Sequence, residues 1–257
     1  MYLEKLRLDG RIAVVTGGGG GIGLRCCHAL AEAGATVIMA ERDPRAIESG
    51  AAFLAEQGYT ADSVECDVAD PDAVNAAAAT VIERHGRVDI LVCNAGIARS
   101  GTPAEDVTDE HWRNVIDINL NGVFWCCRAF GAPMLKQKSG AIVNIGSMSG
   151  FIVNKPQQQA YYNASKAGVH QLTKSLAAEW ADRNVRVNAV APTYIATPLT
   201  TFGAEDKEMF KVWMDGTPMR RMGEPEEVAS VVQFLASDAA SVMTGSIVMA
   251  DLGYTCW

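Results

Sequence analysis

Short apolar runs alternate along this chain with longer stretches of helical periodicity. Seven runs read as strands: Ile12 to Val15, Thr36 to Ala40, Ser63 to Cys66, Val88 to Cys93, Ala141 to Ile145, Val185 to Val190 and Ser246 to Ala250. Several are apolar on consecutive residues, as strands covered on both faces are. The segments between them are long enough for crossover helices. Ile22, Cys26, Ala29, Leu30 and Ala33 recur at helical spacing and end at Gly34. Asp70 to Arg84 opens on an Asp-Pro start signal, and Thr108 to Ala129 carries Trp112, Val115, Ile116, Leu120, Val123 and Phe124 at helical spacing. This alternation predicts an α/β chain, a doubly wound, seven-stranded parallel sheet with helices on both faces. No repeat, Pro-rich linker or long charge run interrupts it, so residues 1–257 read as one domain. The rhythm breaks once. Residues 193–223, rich in Thr, Met, Pro and aromatics, read as an irregular insertion and a substrate lid. Its Tyr194, Met209, Phe210, Trp213 and Met214 either line a pocket or fill a core.

Composition narrows the function classes. Hydrophobic residues make up 49% and charged residues 20%, the balance of a globular chain. The formal net charge of −8 repels a phosphate backbone, which argues against nucleic acid. Met1 to Arg11 is mixed and charged, without the apolar stretch of a signal peptide or membrane span, so the expectation is a cytoplasmic protein with no membrane partner. The seven cysteines include no Cys-x-x-Cys, and the four histidines show no metal-ligand spacing, so no metal-ligating residues are expected and the thiols read as small buried residues.

The first strand runs into Thr16-Gly17-Gly18-Gly19-Gly20-Gly21-Ile22-Gly23 and then into a helix. Strand, glycine loop and helix together make a Rossmann-type pyrophosphate site. The backbone approaches closely where side chains are absent, and the helix N-terminus offers free N–H groups. The second strand ends in Glu41, twenty residues after Gly21. A carboxylate there accepts hydrogen bonds from ribose hydroxyls and repels a 2′-phosphate, favouring NAD over NADP. Arg42 pulls the other way, being able to bind that phosphate.

Tyr162 and Lys166 are four residues apart in Tyr162-Asn163-Ala164-Ser165-Lys166, so a helix puts them on one side, whereas Tyr161 points elsewhere. An ammonium within about 4–6 Å favours a phenolate and lowers the phenol's pKa. Tyr162 then works as base in alcohol oxidation and as acid in ketone reduction. A lone Tyr-x-x-x-Lys is common in helices, and its weight here comes from its company. Ser147 ends the fifth strand, where a parallel sheet opens its ligand crevice. Asn119 sits mid-helix, where a polar residue is locally unfavourable.

Thr-Gly-x-x-x-Gly-x-Gly at Thr16–Gly23, Asp67-Val68, Asn94-Ala95-Gly96, Asn119, Ser147, Tyr162 and Lys166 stand in the order of the short-chain dehydrogenase/reductase family, which the chain resembles over roughly residues 8 to 253. The resemblance implies a catalytic tetrad of Asn119, Ser147, Tyr162 and Lys166. In it Asn119 holds a water that links the lysine to solvent, and Lys166 also holds the nicotinamide ribose. It implies cofactor contacts from Gly17, Gly19, Gly21, Ile22, Gly23, Glu41, Arg42, Asp67, Val68, Asn94, Gly96, Tyr162, Lys166, Pro192, Ile195 and Thr197. Three positions depart from the family pattern: Cys93 replaces an Asn, Thr193 replaces the Gly after Pro192, and Leu252 replaces a Gly.

Ser147 and Tyr162 are fifteen apart, two more than in many relatives. The longer loop brings Ser149, Asn154 and three consecutive glutamines, Gln157 to Gln159, near the reacting centre. Neutral groups that both donate and accept suit a polyhydroxylated substrate; equally, they could be solvated loop amides. Gly-Ser-Met-Ser-Gly…Val-Asn…Pro-Gln and Gly-Tyr-Thr…Trp are similar to bacterial polyol dehydrogenases of the galactitol, arabinitol, mannitol and xylitol type. That implies reversible oxidation of a secondary hydroxyl of a sugar alcohol to a ketose with NAD. The implied substrate contacts are Ser147, Ser149, Asn154, Gln159, Tyr162 and Trp213. Two alternatives stand beside it: an NADPH-linked carbonyl or 3-ketoacyl-thioester reductase, and a non-catalytic dinucleotide sensor on the same fold. The resemblance also implies a homotetramer through the helices around 108–130 and 160–182. Trp112, Phe124, Trp125, Leu172, Leu176, Trp180 and Trp257 are the interface candidates, and in some relatives a magnesium ion sits at the subunit junction.

Overall fold

The alternation of buried runs and amphipathic segments folds, in the computed structural model, into one seven-stranded sheet. The structure describes residues 1–98 and 100–257, with Phe202 described through its backbone alone. In chain order the elements are β1 (Ile12–Thr16), α1 (Gly21–Glu32), β2 (Thr36–Glu41), α2 (Pro44–Glu56), β3 (Ala61–Glu65), α3 (Pro71–His85), β4 (Ile90–Cys93), α4 (Asp109–Ile116), α5 (Gly122–Gln137), β5 (Gly140–Ile145), α6 (Ala160–Trp180), β6 (Val185–Pro192), α7 (Thr201–Glu205), α8 (Lys207–Gly216), α9 (Pro225–Ala236) and β7 (Ile247–Ala250). All pairings are parallel, in the order β3-β2-β1-β4-β5-β6-β7. The order reverses between β1 and β4, and the C-terminal ends of those strands open the crevice where an α/β sheet receives its ligand.

Each sheet face carries its own core. One joins Ala13 and Val15 of β1 to Leu30 of α1, Leu54 of α2 and Val232 of α9. The other joins Val14 and Leu91 to Val81 of α3, Phe130 of α5 and Val169 of α6. Strands β1 and β4 to β6 are buried almost throughout, which is why their sequences read as unbroken apolar runs. Helix starts follow local chemistry. Asp43 and Asp70 cap α2 and α3 by accepting main-chain N–H bonds, each just before a proline at the first helical position.

The structure corrects several expectations. The third strand begins at Ala61 rather than Ser63, and the fourth at Ile90 rather than Val88. The segment from Thr108 is helical as expected, but α4 and α5 are joined through a π-turn at Asp117–Asn121 that no spacing announced. The stretch 193–223 is not irregular: it carries α7 and α8. Tyr194 and Trp213 join Met148 and Tyr254 in a small third core, with Met209 and Met214 packed against it. Leu176 and Trp180 belong to the chain's own core, whereas Trp257 is 80% exposed.

Candidate functional site

At the crevice the first strand gives way to a loop that only glycine can follow. Gly17 and Gly21 adopt φ of +62° and +51°, in the left-handed region. A Cβ on Gly23 would stand 2.1 Å from the Gly17 carbonyl and 2.4 Å from Asn94 Nδ2. Helix α1 starts at Gly21 with no side-chain cap, so its first N–H groups face the crevice free to bind an anion. That cradle fits a dinucleotide pyrophosphate. Asn94 braces it from β4, donating from Nδ2 to the carbonyls of Thr16 (3.0 Å) and Gly17 (3.1 Å). Thr16 Oγ1 accepts in return from the N–H groups of Asn94 (3.0 Å) and Ala95 (3.1 Å). The Nδ2 of the amide expected to touch cofactor thus shapes the loop, while Asn94 also lines the cleft.

Glu41 closes this end. Its carboxylate accepts from the N–H of Arg42 at 2.8 Å, of Asp43 at 3.2 Å and of Gly19 at 3.4 Å. Arg42 points to Asp67 at 3.4 Å and is exposed. Gly19 lies against α2, where a Cβ would meet Ala46 at 2.7 Å.

The reacting groups sit at the other end of the same cleft, which encloses about 520 Å³. Gly17, Gly21, Ile22, Glu41, Arg42, Asp67, Val68, Asn94, Gly96, Ser147, Ser149, Asn154, Gln159, Tyr162, Lys166, Pro192, Ile195, Thr197 and Trp213 all line it. Of the expected residues, Gly19, Gly23 and Asn119 stand behind the wall.

Helix α6 presents Tyr162 and Lys166 inward, one turn apart. Tyr161, beside them, is fully buried and turned to the His111 ring, 4.4 Å away. Lys166 Nζ donates to the Ile145 carbonyl at 2.8 Å and lies 5.7 Å from the centre of the Tyr162 ring. Burial pushes Lys166 down to about 8. Burial also pushes the Tyr162 phenol above its ordinary range, and a hydrogen bond with Ser147 pulls it back only in part. Burial is thus the larger influence on the phenol, opposite in direction to the lowering expected from the sequence.

Ser147 begins a tight turn, its Oγ accepting from Ser149 N–H at 3.1 Å and pairing with Ser149 Oγ at 3.0 Å. Behind the turn the ring of His170, on α6, lies so close that a Cβ on Gly146 or Gly150 would stand about 2.5 Å from it. His170 Nε2 accepts from the Ser147 N–H at 3.5 Å.

The π-turn explains Asn119. It rotates this residue inward and fully buries it. Its Oδ1 accepts from Ile97 N–H (2.8 Å), and its Nδ2 donates to the Ile97 carbonyl (2.9 Å) and Ser165 Oγ (3.2 Å). The side chain thereby ties the loop after β4 to α6 and stays clear of the crevice.

Gln158 is exposed, but the other loop amides are not solvated. Asn154, Gln157 and Gln159 are all less than 10% exposed. Asn154 and Gln157 each donate to the Tyr194 hydroxyl, at 3.2 and 3.3 Å. Tyr194 stacks on Trp213 with ring centres 3.9 Å apart, and Trp213 Nε1 donates to Gln157 at 3.0 Å. Gln157 and His170 were not singled out from the sequence. The glutamine run signalled the first in outline; nothing in the sequence set the second apart from any helical histidine.

No helix among the described residues is long and apolar enough to cross a membrane, and none of their His, Cys, Asp or Glu side chains group to hold a metal. A family model described as enoyl-(acyl carrier protein) reductase matches residues 17–255. The galactitol 2-dehydrogenase of Rhizobium johnstonii is 56% identical over 256 residues, covering all of this chain and 99% of that one. Among solved structures, the crystal structure of gox2181 superposes with a TM-score of 0.98 at 59% identity over the whole of both chains. A gluconate 5-dehydrogenase from Burkholderia cenocepacia in complex with NADP and tartrate does so with a TM-score of 0.95 at 34% identity, again over both whole chains. With its glycine cradle, its sheet order and its inward Tyr162 and Lys166, the chain belongs to the short-chain dehydrogenase/reductase family of oxidoreductases.

Proposed function

We propose that this protein oxidises a secondary hydroxyl of a sugar alcohol reversibly to a ketose, with NAD as its cofactor. The observation that carries the reading is the dry set of neutral groups that line the cleft with Tyr162: Ser149, Asn154 and Gln159. Such groups match the paired donor and acceptor character of each polyol hydroxyl. They offer nothing to an acyl chain. The relatives named for galactitol and gluconate support a polyhydroxylated substrate.

In this reading Ser147 and Tyr162 hold the reacting oxygen, and Tyr162 takes its proton in oxidation and returns it in reduction. Lys166 supplies positive charge behind the phenol, and the nicotinamide, when bound, takes up the hydride from the carbinol carbon. The cradle from Gly17 to Gly23, Val68, Gly96, Pro192, Ile195 and Thr197 would hold the dinucleotide. Asn119 and Asn94 act by bracing the walls. Glu41 supports NAD, since its carboxylate occupies the ribose end. Arg42, exposed and beside Asp67, is the feature that favours NADP, the cofactor held by the gluconate enzyme.

The same reading makes the chain one functional domain with a lid at about 193–223, working in the cytoplasm as a homotetramer. Trp112 and Phe124, exposed at 45% and 36% on α4 and α5, support the assembly. Among the described residues no His, Cys, Asp or Glu cluster supports the magnesium ion implied by the resemblance.

A panel of four- to six-carbon polyols with NAD+ and NADP+, run beside ketoacyl thioesters with NADPH, tests the reading. Turnover of at least one polyol with NAD+ is expected; turnover of thioesters alone would overturn it. Tyr162→Phe is expected to keep cofactor binding and lose about 10²–10⁴ in kcat. Unchanged turnover would remove Tyr162 from the chemistry and reopen the dinucleotide-sensor alternative.

A further inference from the structure

Helix α8 rests on the smallest of the three cores, built on Met148, Tyr194, Trp213 and Tyr254 rather than on either face of the sheet. An element with few buried apolar neighbours opens at low cost unless something else fastens it. One amide spans the gap. Gln157 Oε1 accepts from Trp213 Nε1 at 3.0 Å, on α8, and its Nε2 donates to the Tyr194 hydroxyl at 3.3 Å, at the end of β6. All three residues are buried.

The direction of every bond in this chain of amides is set at its two ends. Indole N–H can only donate, which turns Gln157 Oε1 toward Trp213 and Nε2 toward Tyr194. At the other end the Ile152 carbonyl can only accept, and Asn163 Nδ2 faces it at 3.5 Å. Asn163 Oδ1 then accepts from Gln159 Nε2 at 3.0 Å, Gln159 also donates to Asn154 Oδ1 at 3.0 Å, and Asn154 donates to Tyr194 at 3.2 Å. Both directions converge without conflict on one phenol oxygen, which accepts twice. Asn163 is next to Tyr162 on α6, so the chain runs from the reacting helix to the lid.

We propose that Gln157 is a positioning residue that latches α8 over the substrate end of the cleft, by bonding Trp213 and Tyr194 with opposite ends of one amide. It touches neither the cofactor cradle nor the Tyr162 phenol. Its loss should therefore act on substrate affinity and lid order, and leave cofactor affinity and the chemical step largely intact. The kinetic half of this inference rests on the polyol reading; the structural half does not.

The test uses the full-length chain with Gln157→Leu, Trp213→Phe and the double variant. Trp213→Phe keeps an aromatic ring beside Tyr194 but removes the indole N–H together with part of the bicyclic ring, so it cuts the latch from the α8 side even if Gln157→Leu folds poorly. The readouts are hydrogen–deuterium exchange across Lys207–Gly216 and steady-state kinetics with the best polyol from the panel. Each single variant should raise exchange across α8 and raise the polyol KM about tenfold. The shift in kcat should stay under about threefold, the NAD+ KM should not move, and the loss in the double variant should fall short of the two single losses combined, because both singles delete the shared Trp213–Gln157 bond. Unchanged α8 exchange in both single variants, or fully additive losses, would overturn the latch. A parent protein inert to every polyol whose α8 exchange still responds would sink the substrate reading and leave the latch standing.

Discussion

The cofactor end of the cleft is made of main chain and the substrate end of side chains. At one end Gly17, Gly21 and the free N–H groups of α1 meet the ligand, and Asn94 and Thr16 spend their polar atoms holding that backbone in place. At the other, Ser149, Asn154, Gln157 and Gln159 face the pocket: Ser149 pairs with Ser147, Gln159 donates to Asn154, and Asn154 and Gln157 donate to Tyr194. A backbone cradle tolerates no added atom, whereas a side-chain network tolerates exchange of its members at graded cost. In the proposed reading the first end holds the dinucleotide and the second sets what is oxidised.

The sharpest way to break this contrast is Gly23→Ala. The added Cβ meets the Gly17 carbonyl at 2.1 Å, and that contact is backbone to backbone, with no flexible side chain to yield. Overpacking of this kind costs about 3 kcal/mol, or about 6–12 °C in Tm for a chain of this size. If the strain falls on the cradle, NAD+ affinity drops about 100-fold. Calorimetry and a fluorescence titration of NADH check both. A variant of parental Tm and affinity would show that the loop yields after all.

Two substitutions of intermediate effect separate the ends. Ser149→Ala removes the hydroxyl paired with Ser147 at 3.0 Å. One such bond is worth about 1.4 kcal/mol, so the polyol KM should rise about tenfold with the NAD+ KM unmoved. Glu41→Ala does the reverse. It frees the Gly19 and Arg42 N–H groups, raises the NAD+ KM about tenfold and improves the ratio of NADP+ to NAD+ in kcat/KM, with the polyol KM unmoved. If either substitution moves both constants equally, the ends are coupled and the division fails.

The same division decided what could be read from the chain beforehand. Strand runs such as Ile90–Cys93 are buried on both faces, so hydrophobicity alone marks them. The half-exposed edge strand Ala61–Glu65 carries Asp62 and Ser63, and its start was misplaced. Gly17 to Gly23 were legible because a special backbone demands a special residue. Asn119 was legible as an oddity, but not the π-turn that turns it inward, since that turn leaves the apolar spacing around it almost intact. The Tyr162–Lys166 pair was legible as a spacing, whereas the sign of the phenol's shift depended on burial that no local pattern carries. Gln157 and His170 owe their places to partners far away in sequence, Trp213 on the lid and Ser147 at the strand end.

His170 gives the smallest expected effect, and one that ignores the cleft's two ends. Burial, with Lys166 and Lys174 on the same helix, pushes it down to about 4 from an ordinary 6.5. The Ser147 N–H faces its Nε2, Gly146 and Gly150 flank the ring, and Phe151 covers it at 4.6 Å; among the described residues the charged groups acting on it are the two lysines. Between pH about 4 and 6.5 the unfolded chain binds this proton and the folded chain does not. Unfolding is then favoured as pH falls through that window, and the stability is fully present above it. For this group alone the loss from pH 7 to pH 5 is about 1–2 kcal/mol. His170→Gln keeps an acceptor near the Ser147 N–H and cannot titrate. Its urea midpoint should therefore fall less than the parent's between pH 7 and pH 5. Equal slopes would mean that the histidine is protonated in the folded chain, and that the serine turn is held without it.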